Sequence, residues 1–342
     1  MKTLLNTLDH VLNQTVILGY DRVGYYVRKP LWNPEDTQVD LSGKICVVTG
    51  ANSGLGFATA KALAARNAQV IMACRSMERG EKARQEIIAA TDNTQITLEQ
   101  VDLSLIHSVN ACIERLQDKY DHIDILVNNA GALFNERQET EEGFEKTFAT
   151  DLLGPYLLTR GLIPLLKQSD DGRIINVSSG GMYFGKLHLE DLQYRQRPYN
   201  GAMAYAEAKR GLMILTQLWA EALKDTSIKV NAIHPGWADT PGVASSLPGF
   251  RQLTQWVLRD NEEGADTIIW LAVKPHLNDR GKFFFDRRPR ALHRTPNTRS
   301  SLSDIESFWN HLGKLTAGTE PFPYALKSSY EQSTTAPEHT PV

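Results

Sequence analysis

The stretch Lys44–Asn67, KICVVTGANSGLGFATAKALAARN, decides how the rest of the chain is read. Its first part, KICVVTG, is a short apolar run that ends in glycine, the pattern of a buried strand. Its last part, LGFATAKALAARN, is dense in Ala, Leu and Lys, all strong helix formers. Between them lies TGANSGLG, with Thr49, Gly50, Asn52, Ser53, Gly54, Leu55 and Gly56. A glycine-rich turn from strand to helix lets the backbone approach a pyrophosphate, whose charge rests on the helix N-terminus. The spacing is G-x-x-x-G-x-G rather than G-x-G-x-x-G, and a tight turn without a ligand would use the same glycines. The position directly between a first strand and a first helix favours the phosphate-loop reading.

The same alternation continues downstream. AQVIMACR, TQITLEQVDLS, IDILVNNAG, GRIINVSS, SIKVNAIHPG and GKFFFD read as strands, the last of these closing the series. MERGEKARQEIIAA, LIHSVNACIERLQDKY, one stretch from about Glu141 to Lys167, and residues 201–224 read as helices. Region 241–274 carries helical pieces broken by Pro and Gly. Short apolar strands separated by amphipathic helices predict an α/β fold, a doubly wound, mostly parallel sheet of Rossmann type with helices on both faces. The segmentation is an N-terminal helical extension over 1–40, one nucleotide-binding domain over 41–290, and a C-terminal extension over 291–342, helical and then disordered.

Bulk composition narrows the function classes. The chain has 342 residues, 42% of them hydrophobic, enough for a sizeable core. A net charge of -3 gives no basic field for nucleic acid. Cys46, Cys74 and Cys112 form no CxxC pair and read as reduced thiols of a cytoplasmic protein. The 9 histidines show no paired ligand spacing, so no metal is expected. MKTLLNTLDHVLNQTVILGY has an apolar face broken by Asp9, His10, Asn13 and Gln14, which fits neither a signal peptide nor a membrane span. As an amphipathic helix it packs on the protein or a partner; its poverty in Lys and Arg leaves at most weak membrane-surface contact.

Three further features fall at the carboxyl ends of predicted strands, where ligands of such sheets bind. Asp102 ends VDLS, Asn128–Gly131 (NNAG) ends the fourth strand, and His234–Thr240 (HPGWADT) ends the sixth. Singly, each reads as a helix cap, a turn or a breaker. Together at one sheet edge they describe one dinucleotide site. The second strand ends in ACRS, with Arg75 and no acidic residue. Arg there suits the 2′-phosphate of NADP(H) rather than the free ribose hydroxyl of NAD(H), the alternative being a solvated surface charge.

TGANSGLG, NNAG, a Ser-Ser pair, Y-x-x-x-K and the Pro-Gly segment with Thr240, in that order, resemble the short-chain dehydrogenase/reductase superfamily over roughly 41–290. The wording VSSGGM, YAEAKRG, HPGWADTPGV, PGFRQL, GADTIIWLA and FFFDRRP looks like its dehydrogenase/reductase family member 12 group, in the retinol-dehydrogenase-like branch. The resemblance implies hydride transfer between the nicotinamide of NADP(H) and the carbonyl or alcohol of a small-molecule substrate. It implies Tyr205 as general acid/base, Lys209 holding the nicotinamide ribose and lowering the Tyr pKa, and Ser179 hydrogen-bonding the substrate oxygen. Pro235, Gly236 and Thr240 would hold the carboxamide, Asp102 and Leu103 would flank the adenine, and Asn129, Ala130 and Gly131 would line the adenosine side. The chemistry needs such a set: a free Tyr titrates near ~10, and a cation one helical turn away favours its phenolate. Val243, Leu247, Phe250, Leu253 and Trp256, after Thr240, suggest a lipophilic pocket. A homo-oligomer is compatible with all of this.

Two departures stand out. FATDLLG puts Asp151 where many members have Asn, so the proton relay of the family is expected here but its Asp151 member is in doubt. Ser179 and Tyr205 lie 26 positions apart, about twice the spacing of compact members, and the extra stretch carries Tyr183, Tyr194 and Tyr199. Tyr183 is the expected substrate-side wall, with plain packing as the alternative. The rival to the enzyme is a nucleotide-binding regulatory or interaction protein with little turnover; intact Ser179, Tyr205 and Lys209 favour the enzyme.

Overall fold

The computed structural model describes residues 8, 9, 19–239, 252, 254, 256–318 and 321–323. After a short helix α1 (Arg22–Arg28), the chain alternates β1 (Ile45–Thr49), α2 (Gly54–Ala64), β2 (Gln69–Cys74), α3 (Met77–Thr91), β3 (Ile96–Gln100), α4 (Ile106–Lys119) and β4 (Ile125–Asn128). It continues with α5 (Gly154–Leu166), β5 (Arg173–Val177), α6 (Gly201–Ala222), β6 (Lys229–Ile233), α7 (Asn261–Val273), β7 (Phe283–Phe285), β8 (Arg288–Arg290) and α8 (Leu302–Leu315). The sheet order is β3-β2-β1-β4-β5-β6-β7-β8. All pairs are parallel except β7 with β8. Strand order reverses between β1 and β4, and a crevice opens there at the carboxyl edge, as doubly wound sheets require.

Burial on both faces explains the unbroken apolar strands: β1 has no exposed position. Leu63, Ala83, Ile87, Ile268 and Leu271 of α2, α3 and α7 cover one face. Val109, Leu116, Leu158, Leu162, Leu212 and Leu215 of α4, α5 and α6 cover the other. α8 joins that second layer, wedging Trp309 against Trp219 at 4.6 Å and Tyr156 at 5.7 Å. Ser301 and Asp304 form a reciprocal capping box that starts it.

Two sequence expectations need correction. The helix expected from Glu141 begins at Lys146, because the Glu145 carboxylate caps Thr147 N–H at 2.9 Å and Phe148 N–H at 2.7 Å. A π-helical turn, Ala149–Leu153, then separates it from α5. GKFFFD is also not the last strand. Asp286 and Arg287, at φ 51° and 58°, make a two-residue turn into β8. Such turns favour Asn-Gly or Asp-Gly, so Asp-Arg gave no hairpin signal. Pro289 sits in that edge strand, where a missing donor is tolerated. Thr240, Val243, Leu247, Phe250, Leu253, residues 10–18 and the expected disorder beyond residue 323 lie outside the described residues.

Candidate active site

The β1-to-α2 turn forms part of the wall of a cavity. Gly50 and Gly54 hold φ of 66° and 57°, left-handed backbone that favours glycine. Ser53 occupies the N-cap of the 11-residue α2, yet its side chain makes no capping bond and no acidic residue lies in the first turn. The orphan N–H groups and positive end of that helix therefore face a cavity of about 660 Å³. A pyrophosphate fits this donor set. Asn52, Ser53, Gly54 and Leu55 line it. Gly56 does not: a Cβ there would lie 2.5 Å from Asn129 Nδ2, so this glycine serves close packing rather than the cavity wall.

At one end of the cavity are Arg75, Asp102 and Leu103, as expected, together with Arg79, which the sequence reading missed. Arg75 is largely exposed and reaches to 3.9 Å from Asp102. Asp102 is anchored by Ser104, whose N–H and hydroxyl both donate to it at 2.9 and 2.7 Å. Asn129, Ala130 and Gly131 run along the floor. Thr49 Oγ1 accepts from the N–H groups of Asn129 and Ala130 at 2.9 and 3.0 Å, which stitches the end of β4 to the end of β1.

At the other end, α6 and β5 bring Tyr205, Lys209 and Ser179 together. Asn200 caps α6 by accepting from Met203 N–H at 3.0 Å, and this fixes the register of the helix. Tyr205 and Lys209 lie one turn apart, and the Lys209 ammonium sits 5.4 Å from the Tyr205 ring centroid. Lys209 donates to Val177 O at 3.1 Å and ion-pairs with Asp151 at 3.3 Å, both side chains buried. Asp151 lies on the π-helical turn, off the cavity wall, and accepts from Ala132 N–H at 2.7 Å. Burial works against the Lys209 charge, but Asp151 and Tyr205 outweigh it and hold the ammonium above its usual pKa. Burial raises the Asp151 carboxyl, against the pull of Lys209. For Tyr205 burial is again the largest influence, raising the phenol; Lys209 and a hydrogen bond with Ser179 lower it, and Asp151 raises it.

Asp151, paired with Lys209, thus also acts on Tyr205 directly, and its influence raises the phenol. Asp151→Asn removes one of the influences that raise the phenol. The limb of the pH–rate profile that reports Tyr205 should then move to lower pH; an unmoved limb would show that Asp151 does not act on it.

Pro235 and Gly236 line the same end, and His234 behind them accepts from Gly180 N–H at 3.1 Å. Burial is the main reason that the His234 pKa falls to about 3, so the ring is neutral. Tyr183 is not the substrate-side wall. Its hydroxyl donates to Ala291 O at 2.7 Å and its ring packs edge-on against Phe283 at 5.8 Å. The next residue, Phe184, 67% exposed, lines the cavity instead. Tyr199 braces the opposite wall by donating to Phe134 O at 3.1 Å. Trp256 is 77% exposed and off the wall. Trp237, from the HPGWADT segment, lines the cavity too, as do Tyr20 and Phe134, which no motif announces.

The sequence matches the short chain dehydrogenase family over residues 44–249. The chain belongs to this family. It is therefore an oxidoreductase of the kind that interconverts alcohols and carbonyls. Dehydrogenase/reductase SDR family member 12 of Bos taurus is 43% identical over 289 residues, covering 84% of this chain and 90% of that protein. Retinol dehydrogenase 12 of Bos taurus is 36% identical, covering 80% and 86%. Among solved structures, an uncharacterized protein from Mycobacterium paratuberculosis superposes with a TM-score of 0.68 at 28% identity, over 85% of this chain and 99% of that one. The resemblance read from TGANSGLG, NNAG and YAEAK, and from the finer wording around them, agrees with these matches. In this short-chain dehydrogenase, Tyr20, β8 and α8 lie outside the matched segment.

Proposed function

We propose that the protein is an NADP(H)-dependent dehydrogenase/reductase of the cytoplasm that acts on a small to medium, uncharged, lipophilic carbonyl or alcohol. One observation carries this reading: a single cavity joins the uncapped α2 cradle and the Arg75–Arg79 end to Ser179, Tyr205 and Lys209. NADP(H), when bound, supplies or accepts the hydride. The chain's own residues do the rest. Arg75 and Arg79 would hold the 2′-phosphate, the first turn of α2 the pyrophosphate, and Lys209 the nicotinamide ribose.

In the reducing direction, the Tyr205 hydroxyl gives its proton to the substrate oxygen as hydride reaches the carbon. The Ser179 hydroxyl donates to the same oxygen and stabilises the charge that develops there. The Lys209 ammonium stabilises the phenolate that remains. In the oxidising direction the phenolate takes the alcohol proton. Aromatic walls at this end, Phe134, Phe184 and Trp237, favour an apolar body on the substrate.

The direct test is NADPH fluorescence on binding, followed by NADPH consumption with a panel of aldehydes and ketones. Binding with no turnover of any carbonyl would favour a nucleotide-binding regulator. Cofactor choice has its own test. Arg75→Glu should lower the ratio of NADPH to NADH efficiency by about tenfold or more, since a charged hydrogen bond becomes a repulsion. An unchanged ratio would remove the case for NADP(H).

A further inference from the structure

Tyr20 comes from the segment before β1, outside the part of the chain that matches the family. Its ring is 3% exposed, and it lines the cavity at the Ser179 end. It lies directly against the residue that follows Ser179: a Cβ on Gly180 would stand 2.9 Å from Tyr20 Cε2 and 3.0 Å from His234 Nε2. His234 meets the ring edge-on at 4.5 Å and Phe285 at 4.9 Å, which fixes its tilt. The Arg294 guanidinium sits over the ring at 5.6 Å and hydrogen-bonds its phenol. Burial, the largest influence, raises the phenol's pKa, so the side chain is neutral.

The backbone is held as firmly. Trp237 N–H donates to Tyr20 O at 2.8 Å, and Arg22 N–H donates to Val257 O at 2.9 Å. Arg259 Nε donates to Asp21 O at 3.1 Å. Tyr20 is therefore clamped to the loop after β6, beside Pro235 and Gly236. A side chain in this place cannot move aside cheaply for a bulky substrate. Truncating it opens space continuous with the cavity.

We propose that Tyr20 is a specificity-determining residue, whose ring closes the substrate end of the cleft and limits the bulk admitted beside the reacting carbonyl. This rests on the hydride-transfer reading given above. The ring offers shape and apolar area but no charge, so it selects among uncharged carbonyls by size. The nucleotide end of the cavity, at Arg75 and the α2 cradle, lies away from it.

The test measures kcat and KM of the full chain, with NADPH, on aldehydes and ketones graded from benzaldehyde to diaryl ketones. Tyr20→Ala should raise kcat/KM for the bulky carbonyls relative to benzaldehyde by about tenfold, the scale on which a filled pocket discriminates. Tyr20→Phe, which keeps the ring, should keep the wild-type ratio. If Tyr20→Ala melts too low to assay, Tyr20→Leu carries the same expectation. A merely structural residue would lower every carbonyl by one common factor, and that result would overturn the proposal. If the wild-type chain reduces none of the panel, the hydride-transfer reading falls and this inference with it. Wild-type turnover with an unmoved ratio removes the Tyr20 inference alone.

Discussion

Tyr205→Phe is expected to cut kcat by about 10²- to 10⁴-fold, the usual contribution of a positioned general acid, and to leave NADPH affinity within a few fold. The ring stays, and so does the packing of α6; only the hydroxyl that Ser179 hydrogen-bonds and Lys209 polarises is lost. The cradle at α2 and the Arg75 end do not touch this hydroxyl, so binding and chemistry should separate cleanly. Single-turnover reduction of a carbonyl, together with NADPH titration by fluorescence, reads both quantities. Retained turnover would sink the assignment of Tyr205, and a parallel collapse of NADPH affinity would mean that the variant had damaged the fold of the cleft.

The second large effect is on stability. Asp286, 1% exposed, accepts from Arg28 at 2.7 Å and from both amino groups of Arg259 at 2.6 and 2.8 Å. Arg28 also pairs with Asp9 at 2.6 Å, and Asp9 takes Arg288 and Arg290. The three Arg residues 28, 259 and 290 lie near the Phe285 ring, at 5.0, 4.9 and 5.9 Å. Asp286→Ala would leave Arg259 buried without a carboxylate, and should destabilise the protein by about 3–5 kcal/mol. Chemical denaturation followed by tryptophan fluorescence measures this, and a loss below about 1 kcal/mol would show that the network contributes little.

The pH dependence of that network has a definite sign. Burial alone would raise the Asp286 carboxyl, but Arg259 and Arg28 outweigh it and hold it below its usual value. Asp9 is likewise opposed by burial, yet Arg290 and Arg28 bring it to about 2. Groups whose folded pKa is depressed contribute their stability above the unfolded value, near ~3.9 for Asp, and lose it as pH falls through the folded value. The network should therefore be intact at neutral pH and fail progressively below about pH 4.

Much of the fold was legible because hydrophobic runs and glycine punctuation act locally. KICVVTG is apolar on both faces, and GRIINVSS carries the apolar run Ile174, Ile175 and Val177 broken only by Asn176, which suits a short buried strand. TGANSGLG, NNAG and YAEAK were legible because they compress a site into a few consecutive residues. What escaped depends on contacts across the chain. β8 follows a turn whose left-handed Asp286 and Arg287 are held by ion pairs with Arg28, Arg259 and Asp266 rather than by glycine. Tyr20 reaches the cavity only because Asp21 and Tyr20 carbonyls find donors more than two hundred residues away. Tyr183 misled for the converse reason: closeness to Ser179 in sequence says nothing of which way a 3₁₀ turn, Gly180–Tyr183, aims its last side chain.

The clasp between Arg28 and Asp286 also fixes an order of events during synthesis. These partners are separated by 258 residues, so Arg28, with its other partner Asp9 already made, leaves the ribosome roughly 10–50 s before Asp286 exists. The strands from β1 to β6 are made in that interval, before the Asp286 end of the clasp. The segment that supplies Tyr20 is thus translated well before Asp286, and the clasp that holds it closes only after β7 has been made.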